Sequence, residues 1–263
     1  MELTRDLRVS IAANRSDWLR SWSCIVICFE EISICLNEHH PGYNSLFDLQ
    51  YPDRETAASQ ISCWAEKIQQ ETGHRAAVWL DRYCEPEHLN LLLPDLGFRL
   101  ASTSYTLAAK TEDVETRKPV NIPIWRIKTG GQKAWIDAYS HAFGQVEYKH
   151  DFARWAQAFD KQQHVELQFY LGFRRSAVLG GSFPGQPAVV GQIITAHGAG
   201  GIYSIGTVPK HRRKGFASEM VAFLATVAGQ AELQHVYVVT SNPGFFEKLG
   251  FTVAFQTAIW EQI

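Results

Sequence analysis

The sequence predicts a mixed α/β fold built as two modules in tandem. Three observations carry this. A strand pattern over residues 202–208 runs through a basic turn into helical spacing at Phe216, Met220, Phe223, Leu224 and Val227. The same order of strand, proline, helix, strand, helix, Leu-Gly-Phe and final strand occurs earlier, with Leu96-Gly97-Phe98 standing where Leu249-Gly250-Phe251 stands later. A chain of 263 residues is long for one compact domain and comfortable for two.

In the first module, residues 14–36 mix apolar and polar positions. Asp17 is placed to cap a helix carrying Trp18, Leu19 and Trp22, and residues 31–36 suit a strand. His39-His40-Pro41-Gly42 is a turn. Residues 43–49 read as a strand, Pro52-Asp53 opens a helix to about Gln70, and Gly73 stops it. Residues 76–80 give a second strand, 85–96 a second helix ended by Gly97, and 98–108 a long alternating strand. The module spans residues 1–109.

Residues 110–121 are charged, contain Pro119 and read as a linker, so the second module spans 122–263. It begins with a strand at 122–127. Helical spacing follows at Trp135, Ile136, Tyr139 and Phe143, then again at Phe152, Trp155 and Phe159. Strands are expected at 167–173 and 188–196, with turns at Gly180-Gly181, Pro184-Gly185 and residues 198–201.

The chemistry concentrates after the strand at 202–208. Pro209 cannot donate a ladder hydrogen bond and ends it. Lys210, His211, Arg212, Arg213 and Lys214 follow in a row, Gly215 lets a ligand approach the backbone, and the helix starts at once. The first amides of a helix lack partners and its dipole end is positive, so this is an anion site suited to a pyrophosphate. No Gly-Lys-Ser/Thr follows any glycine pair, so it is not a P-loop.

Arg212-Arg213-Lys214-Gly215-Phe216-Ala217 resembles the (Gln/Arg)-x-x-Gly-x-(Gly/Ala) loop of the GNAT superfamily of acyl-CoA-dependent N-acetyltransferases. The run from Asn242 through Phe245, Phe246 and Lys248-Leu249-Gly250-Phe251 resembles that superfamily's next segment. The resemblance covers roughly residues 122–263. It implies two tandem GNAT-like modules, the N-terminal one shortened and degenerate. Where the second module has residues 212–217, the first has Asp53-Arg54-Glu55-Thr56-Ala57-Ala58, whose carboxylates repel phosphate.

What the resemblance implies about residues is specific. Acetyl-CoA is the cosubstrate, and its pyrophosphate faces Arg212, Arg213, Lys214, Gly215, Phe216, Ala217 and Ser218. Its pantetheine arm lies along Gly206, Thr207 and Val208, where a strand amide serves as oxyanion donor, and Asn242 and Phe246 complete the cofactor site. A lysine-like amine with a pKa of ~10.4 is neutral in only about one molecule in 2,500 at pH 7, so a base is needed. Many members of the superfamily carry a Glu where this chain has Tyr203, and a Tyr where it has Phe246. A water relay lined by Tyr203, Ser204 or Ser241 is the catalytic expectation; the alternative for Tyr203 is a packed strand aromatic.

The acceptor site is expected among His141, Phe143, Glu147, Tyr148, His150, Asp151 and Trp155, where aromatic faces and carboxylates suit a cationic or aromatic amine. Glu147 and His150 lack an evident third ligand, and Cys24, Cys28 and Cys35 with His39-His40 fail zinc spacings, so no metal is expected. A net charge of −2 gives no global attraction to nucleic acid or an anionic membrane. Five cysteines without regular spacing, and no signal-like start, point to a cytoplasmic protein with reduced thiols. The partners expected are acetyl-CoA and an unidentified amine, and a homodimer stays open. The reading is an N-acetyltransferase acting by direct attack in a ternary complex. Its rivals are a non-catalytic acyl-CoA sensor and, less favoured by the charge, an aminoacyl-tRNA-dependent ligase.

Overall fold

A computed structural model describes residues 4–22, 24–38, 40–115, 119–128, 131–148, 167–175 and 185–263. The chain packs as two units. Unit 1 takes in Met1–Trp18, Leu107–Val239 and Pro243–Thr252; unit 2 takes in Leu19–Thr106, Thr240–Asn242 and Val253–Ile263. These are not the consecutive modules of the sequence reading: the first helix and the last strand are each counted with the other unit.

Helix α1 (Arg5–Ser21) opens the chain. Asp17 lies inside it rather than capping a later helix, and instead meets His197 Nε2 at 2.6 Å. Asn14 is fully buried and donates to the carbonyls of Ala196 and Ala199 at 2.9 and 3.0 Å.

Unit 2 carries β1 (Ile25–Cys28), β2 (Ser33–Leu36), β3 (Ser45–Phe47), β4 (Ala77–Leu80), most of β5 (Phe98–Lys110) and the C-terminal strand β11 (Thr252–Gln262), in the order β1-β2-β3-β4-β11-β5. β3 and β4 run parallel, and β11 pairs antiparallel with β4 at Trp260↔Val78 and Ala258↔Leu80. Helix α2 (Arg54–Thr72) connects β3 to β4. Asp53 caps its start, Gly73 ends it at φ 72°, and its buried stripe of Ala57, Ile61, Ala65 and Ile68 joins a core with Ile34, Leu46, Val78 and Phe98.

The helix expected at 85–96 does not form. Only Leu89–Leu91 makes a 3-10 turn, and successive bonds such as Asp95 N–H to Leu92 O (3.1 Å) continue it as turns. Pro86 and Pro94 explain this, because neither can donate to a helical ladder and each biases its predecessor away from helix.

Unit 1 carries β6 (Ile124–Ile127), β7 (Leu167–Arg175), β8 (Gly185–Ala196), β9 (Ala199–Thr207) and β10 (His235–Thr240), in the order β10-β9-β8-β7-β6. β9 and β10 are parallel and the other pairs antiparallel. Helix α3 (Gln132–Phe143) ends at Gly144, φ 69°, and buries Trp135, Ile136 and Tyr139. Helix α4 (Phe216–Gln230) buries Met220, Val221, Leu224 and Ala228, and the short α5 (Pro243–Glu247) follows β10. The helix expected at 151–159 and the turns at Gly180-Gly181 and Pro184 lie outside the described residues.

Two expectations in this unit change. The β8–β9 hairpin turns on His197 and Gly198 alone, both at positive φ, as two-residue hairpins require. Gly200 and Gly201 are already in β9, where a Cβ would come within 2.9 Å of Ala228 and 2.6 Å of Tyr203. The expected linker is packed at its start. The Thr111 amide donates to Gln234 O at 3.0 Å and its hydroxyl to Leu233 O at 3.0 Å, and Val114 is buried.

The two Leu-Gly-Phe turns are built alike. Gly97 and Gly250 adopt φ 80° and 95°, and each donates to the carbonyl three residues back, Pro94 and Glu247. Phe98 and Phe251 each donate to the carbonyl five residues back, and both rings are buried.

Candidate functional site

The site begins where two parallel strands part. β10 pairs with β9 at Gly200, Gly201 and Ile202 only, while β9 continues to Thr207. Beyond Ile202 that edge of β9 has no strand partner among the described residues, which leaves backbone for a ligand to pair with. On its other edge β9 pairs with β8, but the register shifts: Gln192 opposes Tyr203 and Val190 opposes Gly206. Ser204 and Ile205 therefore share the single residue Gly191, forming a β-bulge, and Ser204 sits at φ 54°. Ser204 Oγ donates to Oε1 of the buried Gln192 at 2.5 Å.

The basic loop follows. Pro209–His211 forms a 3-10 turn in which His211 donates to Val208 O and Arg212 to Pro209 O. The next intramolecular backbone bond is Glu219 N–H to Gly215 O at 3.0 Å. Among the described residues, the amides of residues 213–218 have no acceptor. Arg213 at φ 60° and Gly215 at φ 81° turn this run into a concave nest, and no side chain caps α4. Free amides around a left-handed turn, at a positive helix end, bind a phosphate-like anion.

The basic side chains divide their work. Arg212 Nη2 donates to Ala142 O at 2.9 Å and Nε to Thr207 O at 3.2 Å, so its guanidinium ties α3 to the end of β9. Lys214 Nζ reaches Lys210 O and Lys210 Nζ reaches Gln186 Oε1. His211 is 1% exposed, and neither ring nitrogen has a partner among the described residues. Burial, then Lys210, Lys214 and Arg174, hold its imidazole below the usual histidine range.

The other expected cofactor positions are mixed. Val208 gives its N–H to Ala188 O at 2.9 Å, so that amide is taken. Gly206 makes room for α3, since a Cβ there would lie 2.6 Å from the Phe143 ring. Phe246 is buried edge-on between Phe245 and Phe251, in the packing of unit 1. Thr207, Ala217 and Ser218 are half-buried along the strand end and first helical turn.

Tyr203 is the packed aromatic. It is 7% exposed, stacks on Trp18 at 5.0 Å and shares a hydroxyl hydrogen bond with the buried Tyr237, which reaches Ile11 O at 3.4 Å. Burial pushes the Tyr203 phenol up, so it is ill suited to take a proton. Ser204 spends its one hydroxyl proton on Gln192. Ser241 and Asn242 are exposed and are counted with unit 2, while the loop is counted with unit 1. Gln192 and Tyr237 were missed from sequence. Their only signal is polarity within apolar strand runs.

Of the expected acceptor lining, His141 and Phe143 lie on α3, and Glu147 in a 3-10 turn at Val146–Tyr148. The Tyr148 side chain and all of His150, Asp151 and Trp155 lie outside the described residues. His141 Nδ1 lies 2.7 Å from Asp137 O. A carbonyl only accepts, so Nδ1 is the donor in this contact. His141 lines a cavity of about 560 Å³ with Ala138, Pro187, Val208 and Lys210. Among the described residues no group of three or more His, Cys, Asp or Glu is placed to hold a metal ion.

Unit 2 shows the contrast. At the start of α2, the amide and hydroxyl of Thr56 donate to the Asp53 carboxylate at 2.8 and 3.0 Å. These bonds hold Asp53 below the usual carboxylate range. This helix entrance is filled by the chain's own anion.

Residues 179–260 match the family model of FR47-like protein. Curated proteins gave no match. Solved structures do. A GCN5-related N-acetyltransferase from Kribbella flavida is similar over 99% of this chain and 96% of its own, at 14% identity and TM-score 0.68. One from Sphaerobacter thermophilus covers 96% and 91%, at 14% identity and TM-score 0.64. A tandem GNAT protein from the clavulanic acid biosynthesis pathway covers 88% and 77%, at 11% identity and TM-score 0.63. The chain has the mixed α/β fold of the GCN5-related N-acetyltransferases, with an FR47-like segment over residues 179–260.

Proposed function

We propose that this protein transfers an acetyl group from acetyl-CoA to a primary amine of a small molecule or peptide, by direct attack in a ternary complex. The run of unpaired amides at residues 213–218, at the foot of the strand that outruns its partner, carries this reading. The nest takes the pyrophosphate, the free edge of β9 takes the pantetheine arm, and the neutral amine attacks the thioester carbon. The carbon–sulfur bond breaks, the nitrogen loses a proton, and the CoA thiolate gains one. With Tyr203 buried and Ser204 committed to Gln192, water is the proton carrier from the amine.

CoA at 100 times its Kd should stabilise the parent by about 2.7 kcal/mol. Gly215→Glu places a carboxylate at the nest and should abolish this; unchanged binding by that variant sinks the reading. A protein that binds acyl-CoA but transfers nothing is the outcome if no free thiol appears over a broad amine panel.

A further inference from the structure

We propose that Gln192 is a positioning residue: it holds the β9 bulge in the conformation that turns a strand amide toward the acyl carbonyl of the bound thioester. The inference rests on the acetyl-CoA reading above and assigns a role to a side chain outside the loop.

The bulge is not self-supporting. Ser204 has a side chain and still sits at φ 54°, a region that L-residues with a Cβ avoid. The side chain that meets it is Gln192, 1% exposed on the neighbouring strand, whose Oε1 accepts the Ser204 hydroxyl at 2.5 Å. A buried amide oxygen needs a donor, and here Ser204 supplies it, so each group holds the other.

The rest of the bulge is also locked. Gly191, the one residue opposite Ser204 and Ile205, gives its carbonyl to Trp135 Nε1 at 3.4 Å. A Cβ on Gly191 would meet Met220 at 2.8 Å and Ile205 at 3.1 Å, so these side chains pack directly on the backbone opposite the bulge. Among the described residues, the other edge of β9 has no paired strand beyond Ile202. Gln192 is thus what fixes which way the bulged amides point.

The test compares CoA, which lacks the carbonyl, with acetyl-CoA, which has it, by calorimetric titration. The parent should bind acetyl-CoA more tightly by roughly 2- to 10-fold, the worth of one hydrogen bond. Gln192→Leu should bring that ratio to about one while CoA affinity moves less than about twofold, since the nest is untouched. Gln192→Glu keeps an acceptor for Ser204 and should keep the ratio. Ser204→Gly tolerates the positive φ but loses the bond, so it should match Gln192→Leu, and the double variant should go no further. A ratio of one in the parent, a ratio that survives Gln192→Leu, or CoA affinity falling with it would overturn the proposal. Failure of the parent to bind either ligand would instead overturn the acetyl-CoA reading.

Discussion

The guanidinium of Arg212 donates to the carbonyl of Ala142 at 2.9 Å. Ala142 is in the last turn of α3, where carbonyls lack helical partners and the dipole end favours a cation. The same guanidinium holds Thr207 O. Arg212→Ala should therefore weaken CoA binding through loop disorder, by about 1 kcal/mol or roughly fivefold in Kd. Arg212→Lys should recover only part, because an ammonium cannot span both carbonyls as a fork. Titration with CoA checks this, and parent-like binding by the alanine variant would refute it.

Tyr203→Phe should leave turnover within about threefold and lower stability by about 1 kcal/mol, the net worth of a hydrogen bond. Its hydroxyl is buried against Tyr237, away from any exchange with solvent. A fall in thiol release of tenfold or more, with the fold intact by circular dichroism, would return Tyr203 to the chemistry.

Gly250→Ala should destabilise unit 1 by about 2 kcal/mol or more, from the left-handed backbone and from overpacking together. Gly250 has φ 95°, and a Cβ there would lie 2.5 Å from the Asp113 carbonyl oxygen, a backbone atom with little freedom to move. Gly97→Ala, with open space around its Cβ, should lose less. Thermal melts of the pair give the comparison; equal losses would assign the whole effect to φ.

His211 makes stability depend on pH. Its folded pKa lies below the ordinary 6.5, so the unfolded chain binds more protons between the two values. Its contribution is fully present above about pH 6.5 and is lost as pH falls toward the folded pKa. His211→Gln should flatten the fall in melting temperature between about pH 7 and pH 5.5. An equally steep fall in the variant would exclude His211 as its source.

Local signals were legible and distant ones were not. Asp53 and Gly73 marked both ends of α2, the apolar spacing gave α3 at Gln132–Phe143, and the Pro209-to-Gly215 run gave the loop, because each device acts within a few residues. Helix α1 was obscured because its interior face carries Asn14, whose amide nitrogen donates to carbonyls of residues 182 and 185 positions away. Residues 85–96 have helical spacing, and the prolines overrode it. Within the site, the turn that opens α4 was readable as a motif. The Gln192–Ser204 bond and the Tyr203–Tyr237 pair were not, since each depends on strand register rather than on order along the chain.

The closing strand β11 completes the sheet of unit 2, although its sequence directly follows the segment that carries the nest. Cutting the gene at the charged stretch before residue 122 would therefore leave the upstream fragment short of a central sheet member and the downstream fragment with an orphan apolar ribbon. Engineers seeking a minimal folded form should keep the polypeptide whole. Truncations from either side are expected to yield aggregates rather than separable halves.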